Sequence, residues 1–144
     1  MKGPIQSVEV SCLVHSTEDE GRLRRAMEGM LGLDASARSE ELEGHHGNRI
    51  VRVSYSLTGD AASSAFSKLV SSLPLEARDE LAGSLGATVD EHHALYLRLD
   101  KQALVSGRLA LGGSESVRIR VKPRLFLMKE GTAEFYRDAL GRGR

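Results

Sequence analysis

The chain has 144 residues, of which 40% are hydrophobic and 28% charged, enough for one domain with a core and unlike a disordered tail. No apolar run approaches the ~20 residues of a membrane-crossing helix, residues 1–8 hold no apolar stretch of the secretory-leader kind, and the lone Cys12 excludes an internal disulfide, so a reducing, cytoplasmic setting is expected. Basic and acidic side chains balance at 20 each, but residues 1–97 carry 9 basic against 15 acidic and residues 98–144 carry 11 against 5, an asymmetry that can build a local positive field on a neutral molecule.

Residues 5–15 alternate. Val8, Val10, Cys12 and Val14 point one way, and Ser7, Glu9, Ser11 and His15 the other, with Leu13 the exception. This is a strand with one buried face, and Cys12 belongs to that face. Thr17 and Glu20 have the spacing of a capping box, with Thr17 as the N-cap. The helix that follows carries Leu23, Met27, Met30 and Leu31 on one stripe and closes at Gly32. Residues 36–43 are polar and acidic, an edge strand or a loop, and residues 44–48 form a turn. Residues 50–57 form a strand with Val51, Val53, Tyr55 and Leu57 inward and Ile50, Arg52, Ser54 and Ser56 outward.

Residues 60–73 turn helical, with Phe66, Leu69, Val70 and Leu73 on one face, and Pro74 ends the helix before a shorter one over residues 75–85. Residues 94–100 are a strand with Leu95, Leu97 and Leu99 inward and Tyr96 and Arg98 outward. A connection follows at 101–107, where Asp100 serves as a helix N-cap or an ion-pair partner of Lys101. Then come a short strand at 108–111, a turn at 112–114, a long strand at 117–128 and a closing helix at 132–140 with Thr132 as N-cap. The order β, α, β, β, α, α, β, β, β, α predicts a single α+β domain over residues 1–140, a largely antiparallel sheet with helices on one face. Residues 141–144 are expected to fray.

Arg118, Arg120, Lys122 and Arg124 occupy alternate positions of the last strand and so project from one side. Arg52, Arg98, Tyr96 and Phe126 share that side if the phases hold, although a bulge at Pro123 would reverse everything beyond it. A solvated face or a charge-guarded edge accounts for such a row without any function. The company of cations and an aromatic ring favours an RNA platform, where cations meet phosphates and rings meet unstacked bases. With so few aromatics, binding through the backbone should dominate over base readout.

The pairs His45-His46 and His92-His93 lack the helical spacing of zinc motifs, and neighbours on extended chain point apart, so turn histidines and no metal are expected. Gly112-Gly113-Ser114 is too short for a phosphate loop, lacking the lysine and the following helix. No nucleophile, base and orienting group can be assembled, so neither catalysis nor a cofactor is expected.

The stretch Leu95-Tyr96-Leu97-Arg98-Leu99-Asp100-Lys101-Gln102, then Gly107-Arg108-Leu109-Ala110-Leu111 and Val117-Arg118-Ile119-Arg120-Val121-Lys122, resembles an archaeal family of RNA-binding proteins described as exosome-associated subunits. The opening, Val8-Glu9-Val10 running into Thr17-Glu18-Asp19, is similar too. The resemblance implies a fold like that of the ribosomal protein that binds 5S rRNA, an RNA partner, and no established catalytic residues. This chain departs from the family where Lys122-Pro123-Arg124 runs into the apolar Leu125-Phe126-Leu127-Met128.

The expectation is therefore a non-catalytic RNA-binding protein, an accessory factor in RNA processing or degradation. Its contacts would be Arg98, Arg118, Arg120, Lys122, Arg124 and Arg52 on phosphates, with Tyr96 available for stacking. The alternative is an assembly module, a homo-oligomer or complex subunit, using residues 125–128 or a sheet edge.

Overall fold

The computed structural model describes residues 4–33, 37–43, 47–113, 115–124 and 131–141. The elements run β1 (Ile5–His15), α1 (Glu20–Leu31), β2 (Arg38–Glu43), β3 (Arg49–Thr58), α2 (Gly59–Ser72), α3 (Leu75–Gly83), α4 (Leu85–Thr88), β4 (Leu95–Asp100), α5 (Lys101–Val105), β5 (Ser116–Pro123) and α6 (Thr132–Gly141). The strands lie in the order β2-β3-β1-β5-β4, and every neighbouring pair is antiparallel. This is a single α+β domain, as the element order requires.

The period of two decides which side of the sheet is wet. Val8, Val10, Cys12 and Val14 of β1, Val51, Val53, Tyr55 and Leu57 of β3, Leu95, Leu97 and Leu99 of β4, and Val117, Ile119 and Val121 of β5 are all buried. They meet the apolar stripes of the helices, among them Leu23, Met27 and Leu31 of α1 and Phe66, Leu69 and Val70 of α2, in one continuous core. In α6, Phe135 stacks on Phe66 at 6.1 Å between centroids, and the fully buried Tyr136 donates its hydroxyl to the His93 carbonyl at 3.0 Å. Burial and the hydrogen bond together seat that helix.

Several local expectations change. Asp19 rather than Thr17 caps α1, its carboxylate accepting from the Arg22 amide at 3.1 Å. Glu18 instead turns back to accept from the His15 amide at 2.9 Å. Gly32 closes the helix at φ 64, where a Cβ would crowd the backbone. The stretch after β4 is the helix α5, capped by Asp100 through the Ala103 amide at 2.9 Å. Residues 108–111 form no strand; only Leu111 bridges to Leu99. Thr132 is the first residue of α6 and not its cap, and its hydroxyl lies 3.1 Å from His93 Nδ1. The irregularity in the β1–β5 pairing falls between Ile5 and Ser7, on β1, so the alternation of β5 continues unbroken to Pro123. Residues 125–128, which the sequence placed in the same strand, lie outside the described residues.

The cap assignment is testable. Asp19→Ala should lower stability by about 1 kcal/mol in urea denaturation, while Thr17→Ala, at an exposed position with no capping role, should leave it within ~0.5 kcal/mol.

Candidate nucleic-acid interface

The helices cover one side of the sheet, and the other side is built from what the alternation leaves out. Tyr96 and Arg98 of β4, Arg118, Arg120 and Lys122 of β5, Ser7, Glu9 and Ser11 of β1, and Arg52, Ser54 and Ser56 of β3 all lie there, exposed or half-buried. The register aligns them across strands. Tyr96 opposes Arg120, which opposes Glu9, and Arg98 opposes Arg118, which opposes Ser11. An open depression of about 480 Å³ is lined by Glu9, Ser11, Tyr96, Arg98, Arg118 and Arg120.

The cations on this face are not equivalent. Arg120 donates from Nε to the Tyr96 hydroxyl at 3.0 Å, lies 5.8 Å from the Tyr96 ring centroid, and approaches Glu9 at 3.6 Å. The Tyr96 hydroxyl in turn favours the charged form of the Asp90 carboxylate, which accepts from the His92 and Ala94 amides at 2.9 Å each. Desolvation works against that carboxylate's charge, but the Ala94 and His92 amides and Tyr96 outweigh it, and the Asp90 pKa is lowered. Arg52 pairs with Glu40 of β2 at 3.3 Å. Arg98, Arg118 and Lys122 make no ion pair among the described residues. Arg124 lies one residue past the strand, half-buried, its amide donating to the Pro4 carbonyl at 3.0 Å. Phe126 lies outside the described residues. Tyr96, Arg98, Arg118, Arg120, Lys122 and Arg52 thus share one side, as the alternation predicts, but Arg52 and Arg120 are partly neutralised there, and the Tyr96 ring is already held by a guanidinium.

At the end of the face near His15, a lysine is buried. Lys101, 3% exposed, donates from Nζ to the Leu13 carbonyl at 2.6 Å, to Glu18 Oε1 at 3.0 Å and to Glu115 Oε2 at 3.3 Å. An ammonium has three donors, and all are used. His15 Nε2 lies 3.3 Å from the same Glu115 oxygen. His15, Glu18 and Glu115 can bring ligand atoms within 4.8 Å of one another, but the ammonium already holds both carboxylates, which makes this an ionic clamp. Burial opposes the charge of Glu18, yet the His15 amide and Lys101 outweigh it and hold its pKa below the ordinary glutamate range. Cys12 lines the adjoining depression, and desolvation pushes its thiol up to about 11, a protonated and poorly nucleophilic group at neutral pH.

The profile of the RNA-binding family matches residues 7–123. The chain belongs to that family. Over 139 residues it is 27% identical to the RNA-binding protein PAB1135 of Pyrococcus abyssi, an alignment that covers 90% of each chain. Among solved structures, protein AF2318 of Archaeoglobus fulgidus is similar at 27% identity and a TM-score of 0.78, covering 94% of this chain and 99% of that one. Mth689 of Methanothermobacter thermautotrophicus is similar at 26% identity and a TM-score of 0.77, covering 96% and 99%. Both are DUF54 proteins, and all three relatives are archaeal. No described helix of this RNA-binding family member is long and apolar enough to cross a membrane.

Of the paired histidines, His45 and His46 lie outside the described residues. His92 is exposed and sits 3.6 Å from its neighbour Glu91, while His93 takes a positive φ of 67 and meets Thr132. The clamp around Lys101 was not assembled from sequence, although a signal existed: Lys101 continues the inward phase of Leu95, Leu97 and Leu99.

Removing the clamp's centre tests its weight. Lys101→Met should cost on the order of 2–3 kcal/mol, since it strands a carbonyl and two carboxylates, one of them largely solvated. Because the folded pKa of Glu18 is lowered, its contribution is complete above the ordinary glutamate pKa and is lost as pH falls through the lowered one. Glu18→Gln should therefore flatten the acid limb of the stability–pH curve, measured by urea melts across that range.

Proposed function

We propose that this protein is a non-catalytic RNA binder that holds RNA against the open face of its sheet. The observation that carries the reading is the open-face set of exposed Arg98 and Arg118 with half-buried Lys122, none with a carboxylate partner among the described residues, in a chain of the RNA-binding family. Aligned cations without counter-charges repel one another, and a polyanion relieves that repulsion while releasing its own counterions. In this reading Arg98, Arg118, Arg120 and Lys122 contact phosphates, with Arg52 and Arg124 at the margins. Tyr96, 44% exposed, offers a ring for a base, but a single ring shared with Arg120 gives little sequence readout. Binding is then dominated by the backbone.

The RNA-binding name of the Pyrococcus abyssi relative and the matching RNA-binding family support an RNA partner. A place as an accessory factor in RNA processing or degradation, exosome-associated in particular, is the finer form of the proposal. It rests on the sequence resemblance alone, as does the likeness to the protein that binds 5S rRNA. Absence of catalysis belongs to the same reading: among the described residues the face gathers cations, serines, Glu9 and Tyr96, with no hydrogen-bonded pair of nucleophile and base.

Fluorescence anisotropy with labelled single-stranded and double-stranded RNA, over a series of salt concentrations, tests the reading. The wild type should bind with a steep salt dependence. A triple variant, Arg118→Glu, Arg120→Glu and Lys122→Glu, should retain its fold by circular dichroism and lose the binding. Equal binding by the variant would move the site off this face.

A further inference from the structure

Like charges directly opposite on neighbouring strands repel, and Arg98 and Arg118 are such a pair. Both are exposed, and neither has a carboxylate partner among the described residues. The register extends their row over the whole sheet. Arg118 opposes Ser11 of β1, Ser11 opposes Ser54 of β3, and Ser54 opposes Arg38 on the outer edge, β2. Arg38 is exposed and likewise makes no ion pair among the described residues.

The row holds three arginines and two serines and no acid. The flanking positions differ. On one side Glu9 sits beside Arg120, at 3.6 Å; on the other Glu40 sits beside Arg52, at 3.3 Å. Lys122 lies beyond Glu9, opposite Ser7. With strands ~4.8 Å apart, the row spans about 19 Å.

We infer that the RNA backbone crosses the sheet along Arg98, Arg118, Ser11, Ser54 and Arg38, roughly perpendicular to the strands, rather than running along β5, so that Arg120 and Lys122 reach it only from the flank. This rests on the RNA-binding reading above and adds a contact, Arg38, that the basic strand alone does not indicate. The half-buried Ser11 and Ser54 are short enough for a sugar–phosphate chain to approach closely. Their hydroxyls donate and accept, which suits phosphate oxygens and the ribose 2′-hydroxyl. Glu9 and Glu40 repel phosphates on either side and so confine the polyanion to the row.

The two paths separate in one pair of variants, Arg38→Gln and Lys122→Gln, titrated with labelled single-stranded RNA and an RNA hairpin at several salt concentrations. Both positions avoid the core, and circular dichroism checks the fold. Arg38→Gln should weaken binding by about three- to tenfold at moderate salt and reduce the slope of log K against log salt by roughly 0.7–0.9, one phosphate contact. Lys122→Gln should change both by less. A larger loss in Lys122→Gln, equal losses in both variants, or no loss in either would overturn the crossing path while leaving RNA binding in place. Failure of the wild type to bind either RNA would overturn the RNA reading itself, and the path with it.

Discussion

An antiparallel sheet covered on one side only must sort its residues by parity, and this one constraint shapes the rest of the molecule. Along β5 the buried Val117, Ile119 and Val121 and the outward Arg118, Arg120 and Lys122 are consecutive in sequence but sit on opposite sides of the sheet. The core fixes the phase. A slip of one residue would bury three cations and expose three β-branched side chains, at a cost far above the stability of a domain this size. The cationic face is thus held in place by the hydrophobic core behind it, and needs no interactions of its own to be presented.

The open end of the sheet needs a separate solution, because α5 leaves β4 there and the chain returns to β5. Lys101 supplies it by joining the Leu13 carbonyl of β1, Glu18 ahead of α1 and Glu115 ahead of β5. A buried ammonium is costly unless every donor is met, and here three partners from three segments meet it. The clamp's acids also matter for the face. Glu18 and Glu115 both turn onto Lys101, and neither pairs with Arg118.

Much of this was legible in the sequence because parity and helical stripes are local. The alternation of β1, β3, β4 and β5 placed Tyr96, Arg98, Arg118, Arg120 and Lys122 on one side, and the structure keeps them there. What escaped was set by contacts distant in sequence. Thr17 and Asp19 are both good caps, and the choice between them follows from Glu18 being drawn to the His15 amide and Lys101. The polar β2 has no apolar alternation to give it a phase, so its pairing, and with it the position of Arg38 at the end of the arginine–serine row, follows only from the register with β3. Residues 108–111 alternate like a strand, yet the chain there makes a single bridge to Leu99.

The central claim is that the uncovered side of the sheet, and not the helical side, receives RNA. Amide chemical-shift mapping on isotopically labelled protein, titrated with RNA at low and moderate salt, tests it most directly. The account predicts shifts concentrated in β5, β4, the facing parts of β1 and β3, and Arg38 of β2, strongest around Arg118 and Arg98, with α2, α3 and α6 unchanged. Shifts centred on those helices, with β5 silent, would contradict it.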